Sequence, residues 1–474
     1  MVISKKVRNL DAVFNPNSIA VIGASREPNK IGHVIVKNFV DGGFAGKVYP
    51  INPNAEEILG LKSYKSVLDI KEKVDSAVIS VPAGAVAGVL EECGKKGIKG
   101  VVLITGGFSE TGHSEEEEKI ASIANKYDIA LIGPNCMGVI TPASRVDSVF
   151  LPIYKLGRPR VGGISFISQS GAVGGCIVDL AARAGIGMSK FVSYGNAAVI
   201  DECDLLEYLA RDKETEIIVV YLEGAKDGRR MLATMKEITK KKPIVVIKAG
   251  RSAAGAKAAQ SHTGSLAGSA EAYRAAFKQA NVIEAATLEQ LFDFAKIFDQ
   301  VLPCGNRIGI ITNGGGMGVL ATDSLEDEGL ALSKLSDETR KQMRASLPAY
   351  ANVGNPLDII GDADSHRYEV ALNAMMKDET VDAIMLIILF QTAAIDSAVV
   401  NIAIRASDLR KKPIIAVCTG GEYTEMHKRI LESYGIPTYA SPSSAMRALA
   451  KFVAYASFYS KHNKMSCPTP LKTL

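Results

Sequence analysis

Short β-rich runs alternate with helical patterns along the whole chain, and this alternation restricts the possible folds more than any other feature. In the N-terminal part the runs are 18–22, 47–51, 76–81, 101–104 and 130–132. Each run is followed directly by a turn that contains Gly, Pro, Asn, Ser or Thr. Each run is too short for a helix and precedes a segment with 3.6-residue periodicity. Strands that alternate with helices predict a parallel sheet with crossover helices. Ligands of such sheets bind at the carboxyl ends of the strands.

The same pattern returns twice further along the chain. A strand over 163–167 is followed by Ser168-Gln169-Ser170-Gly171 and a helix over 172–184. A strand over 307–311 is followed by the glycine-rich turn 312–318 and a helix over 319–328. The free N–H groups and the dipole at such a helix start favour anions. We therefore expect three doubly wound α/β domains, over 1–142, 143–303 and 304–474, with an anion-binding helix start in each of the last two.

Composition excludes several classes of protein. The chain has 474 residues and a net charge of +4 with both signs interspersed, which gives no basic stripe for nucleic acid. No apolar run approaches the length of a membrane span. The cysteines contain no C-x-x-C pair, which argues against zinc and against a disulfide framework; they are Cys93, Cys136, Cys176, Cys203, Cys304, Cys418 and Cys467. We expect a soluble protein of the reducing cytoplasm, with a loose C-terminal tail.

The first domain could bind NAD or coenzyme A. The loop after its first strand, Gly23 to Pro28, lacks the G-x-G-x-x-G spacing that admits a pyrophosphate. Its second strand ends at Asn52, where an NAD-binding protein would carry Asp or Glu. Gly23 and the nearby Lys30 still suit a ligand that bears phosphate groups. These residues alone leave both ligands open, and with NAD the possibility of a dehydrogenase.

A segment of small residues, 249–272, contains a single histidine, His262. Few large apolar side chains anchor this segment, so it is either an ordinary surface loop or a mobile carrier. A histidine that accepts a phosphoryl group needs an orienting acceptor, and Glu223, at the end of the predicted strand 216–222, could supply one. The stretch 250–257 only superficially resembles a P-loop, because it lacks the hydroxyl residue that would hold magnesium. We therefore expect no nucleoside triphosphate site and no metal site in this chain.

Four motifs in this order resemble the α subunit of ADP-forming acyl-CoA synthetases, the acetate–CoA ligases related to succinyl-CoA synthetase. They are Ser168-Gln169-Ser170-Gly171, Tyr221-Leu222-Glu223-Gly224, Ser261-His262-Thr263-Gly264-Ser265 and Asn313-Gly314-Gly315-Gly316-Met317-Gly318. The resemblance covers about residues 10–460. It implies a Rossmann-like CoA-binding domain followed by two flavodoxin-like domains of the succinyl-CoA synthetase type. It also implies a reversible reaction in which acyl-CoA, ADP and phosphate give acid, CoA and ATP, by way of an acyl phosphate and a phosphohistidine on a swinging loop.

The resemblance assigns roles to individual residues. His262 matches the phosphorylated histidine and Glu223 the carboxylate that stabilises it. Phosphate or phosphohistidine would be held by Ser170, Gly171, Asn313, Gly314, Gly315 and Gly316. Coenzyme A would be contacted by Gly23, Ser25, Lys30, Asn52, Val81, Pro82, Thr105, Asn135 and Cys136. The acid substrate would lie near Gln169, Asn196 and Glu110.

The family's nucleotide-binding module, an ATP-grasp domain, is missing from this chain. The resemblance therefore implies a separate ATP-grasp β subunit that binds ADP or ATP with Mg²⁺, in an α2β2 heterotetramer, and small-molecule substrates without nucleic acid or membrane partners. The alternative is a CoA-binding regulatory protein with a vestigial synthetase architecture. The sequence does not specify which acid is preferred, nor the direction of the reaction.

Overall fold

The computed structural model describes residues 4–255, 257 and 269–467. Its elements form an α/β protein in which parallel strands alternate with helices. The chain divides into two compact units. The first comprises Met1–Arg183, Gly187–Thr239 and Val246–Glu284, and the second comprises Ala184–Ile186, Lys240–Val245 and Ala285–Leu474.

The first sheet, in the first unit, confirms the predicted parallel arrangement. Its strands are β1 (Ser18–Ile22), β2 (Lys47–Ile51), β5 (Ser76–Ile79), β6 (Gly100–Leu103) and β7 (Ala130–Ile132), in the order β2-β1-β5-β6-β7. A small hairpin, β3 (Glu57–Ile58) and β4 (Leu61–Lys62), follows β2. The helices are α1 (Lys5–Asn9), α2 (Asp11–Phe14), α3 (Ile31–Asp41), α4 (Ala83–Lys96) and α5 (Ser114–Lys126). Every strand of the five-stranded sheet is buried on both faces apart from the start of β2, because helices cover the sheet.

The second sheet differs from the expected all-parallel form because its edge is antiparallel. Its strands are β8 (Gly138–Thr141), β9 (Val146–Asp147), β10 (Val161–Ser168), β11 (Met188–Ser193), β12 (Ile217–Leu222), β13 (Ile244–Lys248) and β14 (Ile283–Ala285). Their order is β14-β13-β12-β10-β11-β8-β9, and β8 pairs antiparallel with both β11 and β9. The helices are α6 (Gly171–Ala184), α7 (Glu202–Leu209), α8 (Gly228–Ile238) and α9 (Ala270–Gln279). A capping box between Asp201 and Asp204 fixes the start of α7.

The third sheet, in the second unit, is again parallel. Its strands are β15 (Arg307–Thr312), β16 (Ala331–Leu332), β17 (Leu357–Asp358), β18 (Ala383–Ile387), β19 (Ile414–Val417) and β20 (Thr438–Tyr439). The order is β16-β15-β18-β19-β20, and the short β17 pairs with β15. The helices are α10 (Leu288–Lys296), α11 (Gly315–Asp327), α12 (Asp337–Ser346), α13 (Ser365–Lys377), α14 (Ala398–Asp408), α15 (Glu422–Ser433) and α16 (Pro442–Asn463).

A disulfide joins Cys304 and Cys467, whose Cα atoms are 4.8 Å apart. The sequence argument against a disulfide is therefore wrong. The prediction of a loose C-terminal tail is wrong as far as Cys467, the last described residue. Spacing in the sequence could not reveal this pair, because 163 residues separate the two cysteines. The fold brings them together, since Cys304 precedes β15 and Cys467 follows α16, which packs against α11 just after β15. Among the described residues, no helix is long and apolar enough to cross a membrane.

Candidate functional site

A cavity of about 1920 Å³ lies within the first unit. Its walls are the carboxyl ends of strands from the first and second sheets, where ligands of wound sheets are expected. All the residues predicted to contact coenzyme A line it: Gly23, Ser25, Lys30, Asn52, Val81, Pro82, Thr105, Asn135 and Cys136. So do Ser170, Gly171, Gln169, Asn196, Glu110 and Glu223. The fold thus brings most of the predicted site residues to one place.

The loops after β1 and β2 hold each other at the rim of this cavity. Gly23 has a φ of +90°, and a Cβ there would lie 2.6 Å from the carbonyl oxygen of Ser80, so glycine is required. Asn52 donates from Nδ2 to the Ala24 carbonyl at 2.7 Å and accepts from the Asn54 N–H at 2.8 Å. The asparagine that replaces the acidic residue of an NAD site therefore fixes loop geometry.

The loops after β6 and β7 are joined in a similar way. Thr105 donates from Oγ1 to the Val81 carbonyl at 2.7 Å, and its backbone carbonyl accepts from the Asn135 N–H at 2.9 Å. Cys136 donates from Sγ to the Leu103 carbonyl at 3.3 Å, and burial raises the pKa of its thiol to about 12. Cys136 is therefore a neutral thiol that shapes the wall and is unsuited to act as a nucleophile.

The first helix start is the segment 168–171 together with α6. Ser168 donates from Oγ to the Ser170 carbonyl at 2.6 Å, which tightens the turn into the helix. The Ser170 hydroxyl accepts from the Val173 N–H at 3.4 Å. α6 runs from Gly171 to Ala184, so its first N–H groups and positive dipole end lie at the cavity wall. This arrangement suits a phosphate group.

Glu223 lies next to this helix start, at the end of β12, and is only 5% exposed. Gln169 accepts from the Glu223 and Gly224 N–H groups at 2.8 and 3.1 Å through Oε1, which ties the two loops together. Lys248 donates from Nζ to the Glu223 carbonyl at 2.7 Å, and burial lowers the pKa of this lysine. Burial, followed by the adjacent Glu223 carboxylate, raises the pKa of Tyr221 to about 12. Glu223 is thus held in a defined position within a low-dielectric region.

Asn196 and Glu110 form a polar cluster on another part of the wall. Asn196 donates from Nδ2 to Glu110 Oε2 at 2.5 Å and to Glu117 Oε2 at 2.8 Å. Burial alone would raise the pKa of Glu110, but hydrogen bonds from Asn196 and from the Gly107 and Phe108 N–H groups lower it below its usual value. Glu110 is therefore an ionised carboxylate that orders the loop. An anionic acid substrate would be repelled by it, and Asn196 is bonded to the same carboxylate, so of the three residues Gln169 suits the predicted acid site best.

Comparison with known proteins gives a close match over nearly the whole chain. The α subunit of ADP-forming acetate–CoA ligase II from Pyrococcus furiosus is 43% identical over 94% of this chain and 98% of that protein. The chain belongs to the family of ADP-forming acetate–CoA ligases. Three family models match consecutive ranges: the CoA binding domain over 17–142, the succinyl-CoA ligase like flavodoxin domain over 161–298 and the ligase-CoA domain over 308–457.

Two further relatives extend the comparison. Acetate–CoA ligase (ADP-forming) I of Archaeoglobus fulgidus is 43% identical over 95% of this chain, which spans only 64% of that longer protein. Among solved structures, an acetyl-coenzyme A synthetase 1 of Ca. Korarchaeum cryptofilum, in complex with phosphate and ADP, matches with a TM-score of 0.89 at 40% identity. That match covers 96% of this chain and 98% of the other. The family therefore contains both single-chain members and members with a separate α subunit.

The second helix start of this ligase-family chain lies in the second unit and comprises residues 312–316 with α11. Asn313 is buried, and its side chain accepts from the Leu389 N–H at 2.9 Å and donates to Thr392 Oγ1 at 3.2 Å. A Cβ on Gly314 would collide with Leu389, and one on Gly315 would lie 2.7 Å from Asp358 Oδ2. Packing therefore accounts for two of the glycines that the sequence suggested were needed by a ligand. A Cβ on Gly316 would meet open space.

His262 lies outside the described residues, so its predicted role stays a prediction. Among residues that the sequence did not reveal, Lys248 and Glu117 hold Glu223 and Asn196, and Met137 lies against the first helix start. A signal existed for Lys248, because a lysine at the end of a buried strand is unusual. Glu117 and Met137 carried no such signal, since their partners are distant in the sequence.

Proposed function

We propose that this chain is the α subunit of an acid–CoA ligase (ADP-forming), which converts acyl-CoA, ADP and phosphate reversibly to acid, CoA and ATP. One observation carries the proposal: the predicted coenzyme A residues, the first helix start and Glu223 line a single cavity. Such a cavity can bring the thioester of acyl-CoA to a phosphate group held at the helix start. The names of the relatives describe ligases, which favours the enzyme over the regulatory alternative.

The first step joins phosphate to the acyl group. A phosphate oxygen attacks the thioester carbonyl carbon, the C–S bond breaks, and CoA leaves with the proton that phosphate gives up. Ser170 and Gly171 hold the phosphate, while Gln169 and Asn196 lie where the acyl oxygen can be bound. Positioning and electrostatic stabilisation are most of what this chemistry requires of a protein.

The second step moves the phosphoryl group to His262. A ring nitrogen attacks phosphorus, the bond between phosphorus and the acyl oxygen breaks, and the acid leaves as a carboxylate. Glu223 accepts a hydrogen bond from the other ring N–H and so keeps the attacking nitrogen neutral. Asn313, Gly314, Gly315 and Gly316 form the proposed second phosphate site.

Two further expectations stay predictions. They are the domain boundaries, at 1–142, 143–303 and 304–474, and the cytoplasmic location.

We also propose a separate ATP-grasp β subunit, which binds ADP or ATP with Mg²⁺, in an α2β2 complex. The support is that two Pyrococcus furiosus relatives, each 43% identical to this chain, are named α subunits, a name that implies a partner subunit. The chain should purify from its source with an ATP-grasp chain, and only the complex should form ATP from acetyl-CoA, ADP and phosphate. ATP formation by the purified chain alone would refute this part.

Acetyl phosphate tests the histidine without a partner. Incubation of the full chain with ³²P-labelled acetyl phosphate should give an acid-labile, base-stable phosphoryl label that is absent in His262→Ala. His366→Ala is the matched control, because His366 is exposed on α13 in the second unit and should keep the label. Label that persists in His262→Ala would exclude His262 as the carrier. Wild-type chain that binds CoA in calorimetry but never takes up label would support the regulatory alternative.

A further inference from the structure

The loop that carries Glu223 is held by two side chains besides Gln169. Lys248, the last residue of β13, donates from Nζ to the Glu223 carbonyl at 2.7 Å. Tyr273, in the first turns of α9, accepts the Ala225 N–H at 2.9 Å through its hydroxyl oxygen. The position of the Glu223 carboxylate therefore depends on a strand end and on a helix start that are distant from it in the sequence.

Lys248 and Tyr273 also contact each other. The Lys248 Nζ atom lies 4.8 Å from the centre of the Tyr273 ring, which is the geometry of a cation–π pair. Nζ donates in addition to the carbonyl of Ala249, the next residue. Lys248 is only 2% exposed, and a lysine is rarely buried so completely unless its charge is compensated. We call this pair, together with its contacts to the Glu223 loop, the clamp.

The elements that carry the pair are themselves fixed. β13 is a buried strand, and directly after it the Ala249 N–H donates to the Leu222 carbonyl at 2.9 Å. On α9, Phe277 lies one helical turn after Tyr273 and is buried, so it anchors the helix. The clamp therefore joins the end of one fixed element to the start of another.

The chain between these two elements contains His262. This histidine is fourteen residues after Lys248 and eleven residues before Tyr273 in the sequence. Eleven residues span at most about 40 Å, so the attachment at Tyr273 limits how far the histidine can be from the clamp. A second attachment beside the same site also raises the effective concentration of the histidine there, because it closes the chain into a loop.

We propose that Lys248 and Tyr273 are positioning residues for the transfer of a phosphoryl group to His262. The clamp brings both ends of the histidine-bearing segment to the loop whose carboxylate orients the imidazole. It has no part in the earlier reaction of acyl-CoA with phosphate, which does not use the histidine. This inference rests on the proposed function, because it assumes that His262 accepts the phosphoryl group beside Glu223.

The test compares the two steps in the full chain. The rate of labelling by ³²P-labelled acetyl phosphate measures transfer to His262. The rate of CoA release from acetyl-CoA with arsenate in place of phosphate, followed by a thiol reagent, measures the first step. In Tyr273→Leu the ratio of the labelling rate to the CoA release rate should fall by about 10- to 100-fold, because a misplacement of about 1 Å can cost that much. This variant should fold, since Tyr273 is only half-buried and leucine favours a helix.

Two further variants separate the contacts of the clamp. Tyr273→Phe keeps the ring beneath the lysine and loses only the acceptor for the Ala225 N–H, so the ratio should fall by a smaller factor than in Tyr273→Leu. Lys248→Met keeps the length of the side chain and removes its charge and donors, so the ratio should fall as in Tyr273→Leu. The double variant should be within about 2-fold of the worse single variant, because residues in direct contact are not additive.

The chain offers a matched control for each residue. Lys126, at the exposed end of α5, lies 4.7 Å from the centre of the Tyr127 ring, so Lys126→Met removes a similar pair away from the cavity wall. Tyr154 is 80% exposed, so Tyr154→Leu is the control for the tyrosine. Neither substitution should change the ratio of the two rates.

Each outcome decides the inference. A ratio within about 2-fold of wild type in Tyr273→Leu and Lys248→Met would overturn the clamp while leaving the proposed function intact. A merely structural role gives this result, since it lowers both rates equally. If Lys248→Met does not fold, the two Tyr273 variants decide alone. Wild-type chain that takes up no label, or that releases no CoA, would overturn the proposed function itself, and the inference with it.

Discussion

The two helix starts are built on the same plan but have different surroundings. In each, a hydroxyl at the end of a strand donates to the carbonyl two residues later: Ser168 to Ser170 at 2.6 Å and Thr312 to Gly314 at 2.9 Å. In each, the next residue is an amide side chain that accepts N–H groups from the loop after a neighbouring strand. Only the first helix start has a carboxylate, Glu223, in this neighbouring loop. At the second helix start the residue whose N–H is accepted is Leu389.

This difference indicates that the two helix starts have different roles in the reaction. An anion-binding turn alone can hold a phosphate group, and both helix starts have one. A turn with a buried carboxylate beside it can also orient an imidazole, as phosphoryl transfer to histidine requires. We therefore expect the steps that involve acyl-CoA and histidine at the first helix start, and a supporting role for the second. Four predictions test this comparison.

The largest effect is expected for Glu223→Gln. Loss of one hydrogen bond to a charged or phosphorylated imidazole is worth about 1.5–3 kcal/mol, so turnover should fall by about 10- to 150-fold. The fold should be kept, because the backbone of Glu223 supplies the contacts with Gln169 and Lys248. Glu118→Gln, an exposed glutamate on α5, is the control for steady-state kinetics with the complete complex. Unchanged turnover in Glu223→Gln would remove the difference between the two helix starts.

A second buried carboxyl, Glu202, acts on Tyr194, whose N–H donates to the Ser168 carbonyl of the first helix start at 3.0 Å. Among the described residues the Oε1 atom of Glu202 has no hydrogen-bond partner, and burial, with Asp201, raises its pKa to about 7. Burial, followed by the charges of Glu202 and Glu223, also raises the pKa of Tyr194 well above its usual value. Folded protein keeps the Glu202 proton that unfolded chain loses near pH 4.5, so the free energy of unfolding falls between about pH 4.5 and 7.

Glu202→Gln removes that penalty. The free energy of unfolding should rise by about 2–3 kcal/mol at pH 8.5 and should match wild type below about pH 4.5. Denaturant unfolding followed at several pH values gives this curve, with Glu118→Gln as the exposed control. A difference that does not vary with pH would mean that the carboxyl is not neutral in the folded protein.

The two amide side chains should differ in their effects when they are removed. Asn313 is buried, and Asn313→Ala leaves the Leu389 N–H without its acceptor, so it should lower the free energy of unfolding by about 1–2 kcal/mol. Gln169 is only half-buried, so Gln169→Ala should cost less stability while lowering turnover, because it releases Glu223. Denaturation and kinetics on both variants separate these outcomes. Equal losses of turnover would make the two helix starts equivalent.

The smallest effect is expected for Gly316→Ala. A Cβ there meets open space, and alanine favours the helix by up to about 1 kcal/mol over glycine, so α11 should become slightly more stable. If turnover nevertheless falls in Gly316→Ala, the absence of a side chain at position 316 leaves room for a ligand and is not needed for packing. Gly315→Ala is the contrast, because Asp358 lies in the way and stability should drop. Thermal unfolding should give a higher Tm than wild type for Gly316→Ala and a lower Tm for Gly315→Ala.

Much of the first sheet could be predicted because its information is local. The limits of β1, β2 and β7 match the predicted runs, since each is a short apolar segment closed by Gly, Pro or Asn. The helix after 312–314 begins at Gly315, four residues before the predicted start, because successive glycines read as a turn by propensity. The antiparallel pairing of β8 with β11 depends on contacts between distant residues, which no local pattern encodes.

The site shows the same division between local and distant information. Gly23, Ser170 and Glu223 could be found because residues at the ends of parallel strands face the ligand. Which atoms remain available could not be predicted: the Asn52 side chain is occupied by Ala24 and Asn54, and the Gln169 oxygen by Glu223 and Gly224. Motifs located the wall of the cavity, whereas the hydrogen bonds that shape it join residues far apart in the sequence.

The disulfide between Cys304 and Cys467 makes a closed ring of the covalent chain between these residues, which belong to the second unit. A ring has a smaller hydrodynamic radius than a linear chain of the same length when both are denatured. Oxidised protein should therefore migrate faster than reduced protein in denaturing electrophoresis. A protease that cuts once between the two cysteines would open the ring without releasing a fragment, so nicked protein would stay at its full mass until a reductant is added.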